Sequence, residues 1–369
     1  MQAGGYATMK DNTLRVFDGF AQVQPPGYLD DPGIRRIIAH PEQLARQLER
    51  VDGVDTVAAR AATYALLSHG QQSIGAYIVG VQPDKEARVS RIAATLKTGR
   101  YLEDDNPEAV LGDALARNLG VRVGDTITLL GMARDGSVAA DVLTVRGIVA
   151  SGIDTLDRQL AEIPLGRFQA DFAMNGAANL LVVSGRNLAR VQSALPALQR
   201  LAQPQKLTVR AWYELEPGLQ AAIRLDASSS VLWYASLVVI VVVLLLNTLL
   251  MSVLERTREF GVLLALGMRI GAIGRMVWLE LLLLLSAGLA IGIALGGGLA
   301  AWYGVHGLPL PGASGVFAQW GLPDRMYPQV SAFSLFTGPA LIAVTTTAAG
   351  IFPYLRVRRL RPVTAMRAA

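Results

Sequence analysis

Apolar and polar residues are arranged differently in the two parts of the chain. Over residues 1–227 the apolar positions come in short runs broken by glycine, proline and charge. Runs rich in β-branched and aromatic residues predict strands at Leu14–Val23, Gly75–Val81, Asp125–Leu130, Val142–Val149, Leu180–Ser184 and Leu207–Trp212. Helical spacing predicts helices over Pro41–Arg50 and Asn187–Leu201, the second with Leu188, Val191 and Leu195 as its apolar stripe. Gln24–Gly27 and Asp30–Gly33 mark a loop, and Glu103, Asp104 and Asp105 a solvated turn. The expectation for residues 1–227 is one mixed α+β domain without internal repeats.

Past Asp226 the pattern changes. Ala227–Leu254 carries no charge over 28 residues. At about 1.5 Å per residue, 20 of them cross a hydrocarbon layer of roughly 30 Å. Trp233 and Tyr234 lie near the start, where interfacial anchors belong. A second apolar run, 276–303, is interrupted only by Glu280, and a third covers 330–355 behind Tyr327. The expected fold is therefore membrane α-helical plus an α+β extracytoplasmic domain. Three transmembrane helices, 228–254, 276–303 and 330–355, alternate with segments 255–275, 304–329 and 356–369.

The charged segment 255–275 sits between the first two apolar runs. As a helix it places Phe260, Leu263, Leu264 and Gly267 on one face, with Glu255, Arg256, Arg258 and Glu259 in its first turns and Glu255 at pairing distance from Arg258. Periodicity alone allows two interpretations, an amphipathic linker on the membrane surface or a helix that docks on a partner.

Charge decides the orientation. Residues 1–227 are close to neutral and the surplus of +5 comes from the second part. Arg256, Arg258, Arg269 and Arg275, with Arg356, Arg358, Arg359, Arg361 and Arg367, face a 304–329 loop holding only Arg325. Arginine bias puts 255–275 and the basic tail in the cytoplasm, and residues 1–227 outside. The first 30 residues contain no apolar core of a signal peptide, so a further transmembrane helix is expected ahead of Met1. A basic surface interleaved with aromatics is absent, which argues against nucleic acid.

Catalytic signals are missing. The chain has no cysteine, its three histidines are dispersed, and neither a Walker A nor a GxSxG pattern occurs. In the second apolar run Gly288, Gly292 and Gly296 recur every four residues, continued by Ala300 and Gly304, a face suited to close helix packing within the subunit or across a dimer. Asn247 in the first run suits a hydrogen bond across a helix interface, and Glu280 a position at a helix contact or the surface.

Taken together, these segments resemble the FtsX/MacB-like ABC transporter permeases. The run ERTREFGVLLALG, residues 255–267, looks like the family's charged segment after its second transmembrane helix. Glu280 falls where the family often has a Glu. The ending with Pro353, Arg356, Arg361, Pro362, Ala365, Met366 and Arg367 resembles its tail. VLGDALARNLGVRVGD, residues 110–125, is similar to a strand–helix–turn of the family's periplasmic domain, with Gly120 as a helix cap. Arg146–Val149 with Ser151 and Gly152 resembles the lipoprotein-releasing LolC/LolE branch. The chain departs from the family at Leu264, commonly Arg, and at Met268, commonly Ala.

The resemblance implies a permease in a bacterial inner membrane that neither binds nor hydrolyses ATP, has no cofactor, and works with a cytoplasmic ABC ATPase dimer. A second permease subunit, membrane lipid, and a periplasmic carrier or lipoprotein are the other implied partners. Glu255, Arg256, Arg258, Glu259, Phe260, Gly261, Leu264 and Gly267 are the implied ATPase-coupling residues. A signalling scaffold of the cell-division type, activating cell-wall hydrolases, and a MacB-like efflux component are the alternative roles.

Overall fold

The computed structural model describes residues 2–103, 106–309, 325–326 and 332–351. The chain divides into two compact units. One contains Ala7–Gln220; the other contains Met1–Tyr6, Ala221–Pro309 and the residues from Arg325 onward.

The first unit is built on ten strands. In chain order its elements are α1 (Gln2–Val16, begun in the other unit), β1 (Ala21–Gln24), α2 (Pro41–Leu48), β2 (Thr56–His69), β3 (Gln72–Val81), α3 (Pro83–Val89), β4 (Leu96–Gly99) and β5 (Glu108–Gly112). They continue with α4 (Asp113–Leu119), β6 (Thr126–Met132), β7 (Val138–Val149), α5 (Asp154–Asp157), β8 (Leu160–Pro164), α6 (Leu165–Asp171), β9 (Leu180–Ser184), α7 (Leu188–Ala202), β10 (Thr208–Ala211) and α8 (Trp212–Leu215).

Two sub-sheets share β2. Its first five residues, Thr56–Arg60, pair with β9 in the order β10-β1-β9-β2. From Ala61 onward it pairs with β3 instead. From there the ladder runs β2-β3-β8-β5-β7-β6 and returns to β2 through Leu66–Leu130, closing a six-stranded barrel. Closure removes the exposed edges that an open sheet would leave.

Arg60 is the last β2 residue paired with β9, and it is 1% exposed. Its Nε lies 2.9 Å from Glu86 Oε2 and its Nη2 2.5 Å from Glu86 Oε1, a bidentate pair, while the guanidinium stacks over Phe17. Burial alone would lower its pKa, but Glu86 outweighs it and the guanidinium stays charged. Just before β9, Asn179 Oδ1 accepts from Ala62 N at 2.9 Å and its Nδ2 donates to Arg36 O at 2.7 Å. Polar anchors thus fix the point where β2 passes from one sub-sheet to the other.

Several sequence expectations need correction. The predicted strand Leu14–Val23 is split: α1 runs to Val16, and only Ala21–Gln24 is strand. Gly19, at φ +72°, makes the turn between them, and a Cβ there would collide with Val182 Cγ1. On α7 the buried stripe is Leu188, Val191, Ala194, Leu198 and Ala202, with Leu195 half-buried beside it. Strands β2, β4 and β8 add to the predicted set, and β5 is the short strand expected ahead of α4. Leu180–Ser184 is strand as expected and wholly buried, and Gly120 caps α4 at φ +70°.

In the second unit, α9 spans Pro217–Glu255, beginning in the first unit, α10 Thr257–Ala265, α11 Ile270–His306 and α12 Ala332–Ala349. Among the described residues α9 and α11 are long and apolar enough to cross a membrane. The third predicted span is described as helix over α12 alone, and its end, with the basic tail 356–369, lies outside the described residues, as do Tyr327 and most of 304–329. Helices α11 and α12 meet through small residues: a Cβ on Gly350 would collide with Leu281 Cδ2, and one on Gly297 would lie 3.2 Å from Leu335 Cδ1.

Candidate functional site

The chain reverses between α9 and α11 through a short elbow, and the elbow's sequence explains its shape. Helix α9 ends at Glu255, Arg256 leaves helical geometry at ψ 9°, and α10 resumes at Thr257. Helix α10 stops at Gly267. This residue is left-handed, φ +93°; its N–H bonds to Leu264 O at 3.1 Å and the Met268 N–H to Leu263 O at 3.0 Å. That pair of bonds is the Schellman motif, for which glycine has no steric penalty. Gly267 therefore ends the helix and does not extend its apolar face, contrary to the periodicity expectation. Arg269, extended at ψ 135°, then opens α11.

The elbow has its own small core. Phe260, 1% exposed, packs with Val253 of α9 and Ile273 and Val277 of α11, and Leu263 and Leu264 cover the cluster. Gly261 is buried beside Phe260. Burying a phenylalanine is worth roughly 1.5–3 kcal/mol, enough to hold a nine-residue helix that is too short to be stable alone.

Charge pairing differs from the sequence expectation. Glu255 and Arg258 have no ion-pair partner among the described residues. Arg256 forms the contacts instead: its Nε lies 3.3 Å from Glu259 Oε2, and its Nη1 3.3 Å from Glu280 Oε2 on α11. Arg256 and Glu280 line a groove of about 860 Å³ with Arg275, Met276, Leu279 and Leu283. The two residues are 24 positions apart, so no local sequence pattern joins them. Their opposite charges flanking one reversal were the available signal.

The sequence-predicted coupling residues thus fall into two sets. Phe260, Gly261 and Leu264 face inward and build the elbow, and Gly267 terminates α10. Glu255, Arg258 and Glu259 are exposed, as are Val262 at 50% and Leu266 at 79%. This outer face offers mixed charge and two aliphatic side chains. The structure places Gly288, Gly292 and Gly296 on exposed turns of α11, with open space where each Cβ would stand. Asn247 is likewise exposed.

Two families match separate stretches of this chain. Residues 3–201 match the MacB-like periplasmic core domain, more than half the chain, and residues 232–362 match the FtsX-like permease C-terminal region, which contains the elbow. No curated protein matches the chain. Among solved structures it is similar to the extracellular domain of the noncanonic ABC-type transporter YknZ from Gram-positive bacteria, at 15% identity and TM-score 0.39, over 51% of this chain and 97% of that one. It is similar to the periplasmic region of MacB from Actinobacillus actinomycetemcomitans at 15% identity and TM-score 0.40, over 57% and 97%. A domain of a permease protein from Porphyromonas gingivalis gives 16% identity and TM-score 0.34, over 52% and 89%. With the two family matches following one another from residue 3 to residue 362, the chain belongs to the FtsX/MacB-like ABC transporter permease family.

Proposed function

We propose that this chain is the transmembrane subunit of an ABC transporter that relays ATP-driven motion of a cytoplasmic ATPase dimer to the Ala7–Gln220 domain on the other side of an inner membrane. One observation carries the reading: α10 is clamped to both α9 and α11, by the Phe260 cluster and by Arg256–Glu280. A push on the exposed face of α10 therefore moves two long helices together, and an unbroken helix transmits displacement along its axis because its hydrogen bonds are internal. Glu255, Arg258 and Glu259 are the residues open to the ATPase, and the 356–369 tail is a second contact with it. Spans 228–254, 276–303 and 330–355 cross the bilayer in this reading. The stripe Gly288, Gly292, Gly296 faces the second permease subunit, whose backbone it admits closely.

The cargo in this reading is a lipoprotein, lipid or other amphiphile, in keeping with the resemblance of 146–152 to the LolC/LolE branch. Copurification from native membranes tests it. The proposal expects an ATPase in the complex, hydrolysis stimulated by a lipoprotein or other amphiphile, and release of that cargo on ATP addition. A complex that binds a cell-wall hydrolase and releases nothing would replace transport with signalling.

A further inference from the structure

Tyr64 of β2 and Tyr77 of β3 stand opposite each other in register, with ring centroids 5.1 Å apart and planes tilted by 45°. They wall a cleft of about 270 Å³ in the Ala7–Gln220 unit, completed by Phe17, Leu156 and the carboxyls of Asp18 and Glu216. The Asp18 and Glu216 carboxyls line the same cleft and each acts on the other's titration. Burial and the Asp18 carboxyl push Glu216 up to about 7, and burial raises Asp18 as well.

Neighbouring charges largely compensate one another, so Asp18 and Glu216 set the charge of the cleft. Arg60 reaches Asp18 electrostatically, but its guanidinium is held bidentate by Glu86. Buried Glu162 accepts from Tyr101 at 2.7 Å and is pushed up to about 8 by burial and the Glu86 charge, so it adds negative charge only at higher pH. No Lys or Arg among the described residues forms an ion pair with Asp18 or Glu216.

An apolar strip starts at the same tyrosine. Strand alternation puts Tyr64 and Leu66 on the outer face of the barrel, with Leu130 and Met132 of β6 and Val138 of β7. Register pairs Leu66 with Leu130 and Met132 with Val138. Met132 is 67% and Val138 74% exposed. From the cleft the strip extends on the order of 15–20 Å.

We propose that cleft and strip together bind a single-chain cationic amphiphile, its trialkylammonium headgroup entering between Tyr64 and Tyr77 against Asp18 and Glu216, its hydrocarbon tail lying along the barrel. Aromatic faces attract a quaternary ammonium through their quadrupoles, and the carboxyls supply the countercharge. The cleft holds a headgroup and little more, so the tail lies outside it, where contiguous exposed apolar side chains mark a binding surface. Cation binding favours the ionised carboxyls and so releases a proton. The proposal stands whether or not an ATPase docks on the elbow.

Titration of the full chain in nanodiscs tests it, with choline against its neutral isostere 3,3-dimethylbutanol and hexyltrimethylammonium against tetramethylammonium. Choline is expected to bind about tenfold more tightly than the alcohol, and the hexyl probe about tenfold more tightly than tetramethylammonium. Raising the pH from 6 to 8 tightens binding of all three cations severalfold, with proton release. Tyr64→Ala, at a 62% exposed position, weakens every cation, and Val138→Ser weakens only the hexyl probe. Glu216→Gln weakens the cations and flattens the pH dependence. Equal binding of choline and the alcohol, no choline binding, or unchanged affinity in Tyr64→Ala and Glu216→Gln overturns the proposal.

Discussion

Arg256 Nη1 lies 3.3 Å from Glu280 Oε2, tying the residue between α9 and α10 to the third turn of α11. Both side chains are more than a third exposed, so in water the pair would add under about 1 kcal/mol to stability. Its importance is geometric: it fixes the angle at which α10 meets α11. Glu280→Gln is expected to leave expression and folding intact and to lower substrate-stimulated ATP hydrolysis severalfold in the copurified complex. Arg256→Glu combined with Glu280→Arg should recover much of that loss. A double variant as impaired as the sum of the singles would show that the pair does not act as a unit.

The outer face of α10 makes a separate prediction. Glu255→Lys or Glu259→Lys reverses charge at exposed positions without touching the Phe260 cluster. Either variant should assemble normally while uncoupling hydrolysis from the outer domain. Normal substrate-stimulated hydrolysis in both, measured on purified complexes, would remove this face from the coupling route.

Inside the elbow the effects should be thermodynamic. Phe260→Ala opens a cavity where Val253, Ile273 and Val277 meet and should cost about 3 kcal/mol. Gly267→Ala places a Cβ on a residue at φ +93° and should cost about 1 kcal/mol. Proteolysis rates at the elbow, compared with melting of the whole chain, separate local loosening from global unfolding.

Much of the elbow was legible in the sequence, and some of it was not. The 3.6-residue spacing finds Phe260, Leu263 and Leu264, which do share the covered side. The same spacing carries Gly267 along as a fourth member, since periodicity cannot distinguish a helical glycine from one that stops the helix. In the outer domain, valine-rich Leu180–Ser184 reads directly as a buried strand. Strand β2 does not, because Ala58, Ala59, Ala61, Ala62 and Ala65 depress its β propensity. All five are nonetheless buried, and their size follows from packing that no local window contains. Gly80 shows the same constraint on β3, where a Cβ would stand 2.5 Å from Phe168 Cβ.

Stability of the outer domain should fall as pH rises. Burial and the nearby Glu86 charge push Glu162 up to about 8; burial and Asp141 push Asp171 up to about 6. Both bind protons in the fold at pH values where the unfolded chain, titrating near 4, has lost them. The stability they confer is complete below about pH 4 and disappears as pH rises through 6 and then 8. Glu162→Gln keeps a neutral partner for Tyr101 and should flatten the slope between pH 6 and 8, raising Tm at pH 8 by about 5 °C. Melting curves of both proteins across that range check it.

The mechanical account needs the outer face of α10 in the cytoplasm, against an ATPase. Because the chain contains no cysteine, Val262→Cys creates a single reporter at a position 50% exposed. Sealed spheroplasts treated with a membrane-impermeant maleimide should leave it unlabelled until they are permeabilised, and a bifunctional reagent should then link it to the ATPase in an ATP-dependent manner. Labelling of the introduced thiol in intact spheroplasts would place the elbow on the wrong side of the membrane and contradict the account.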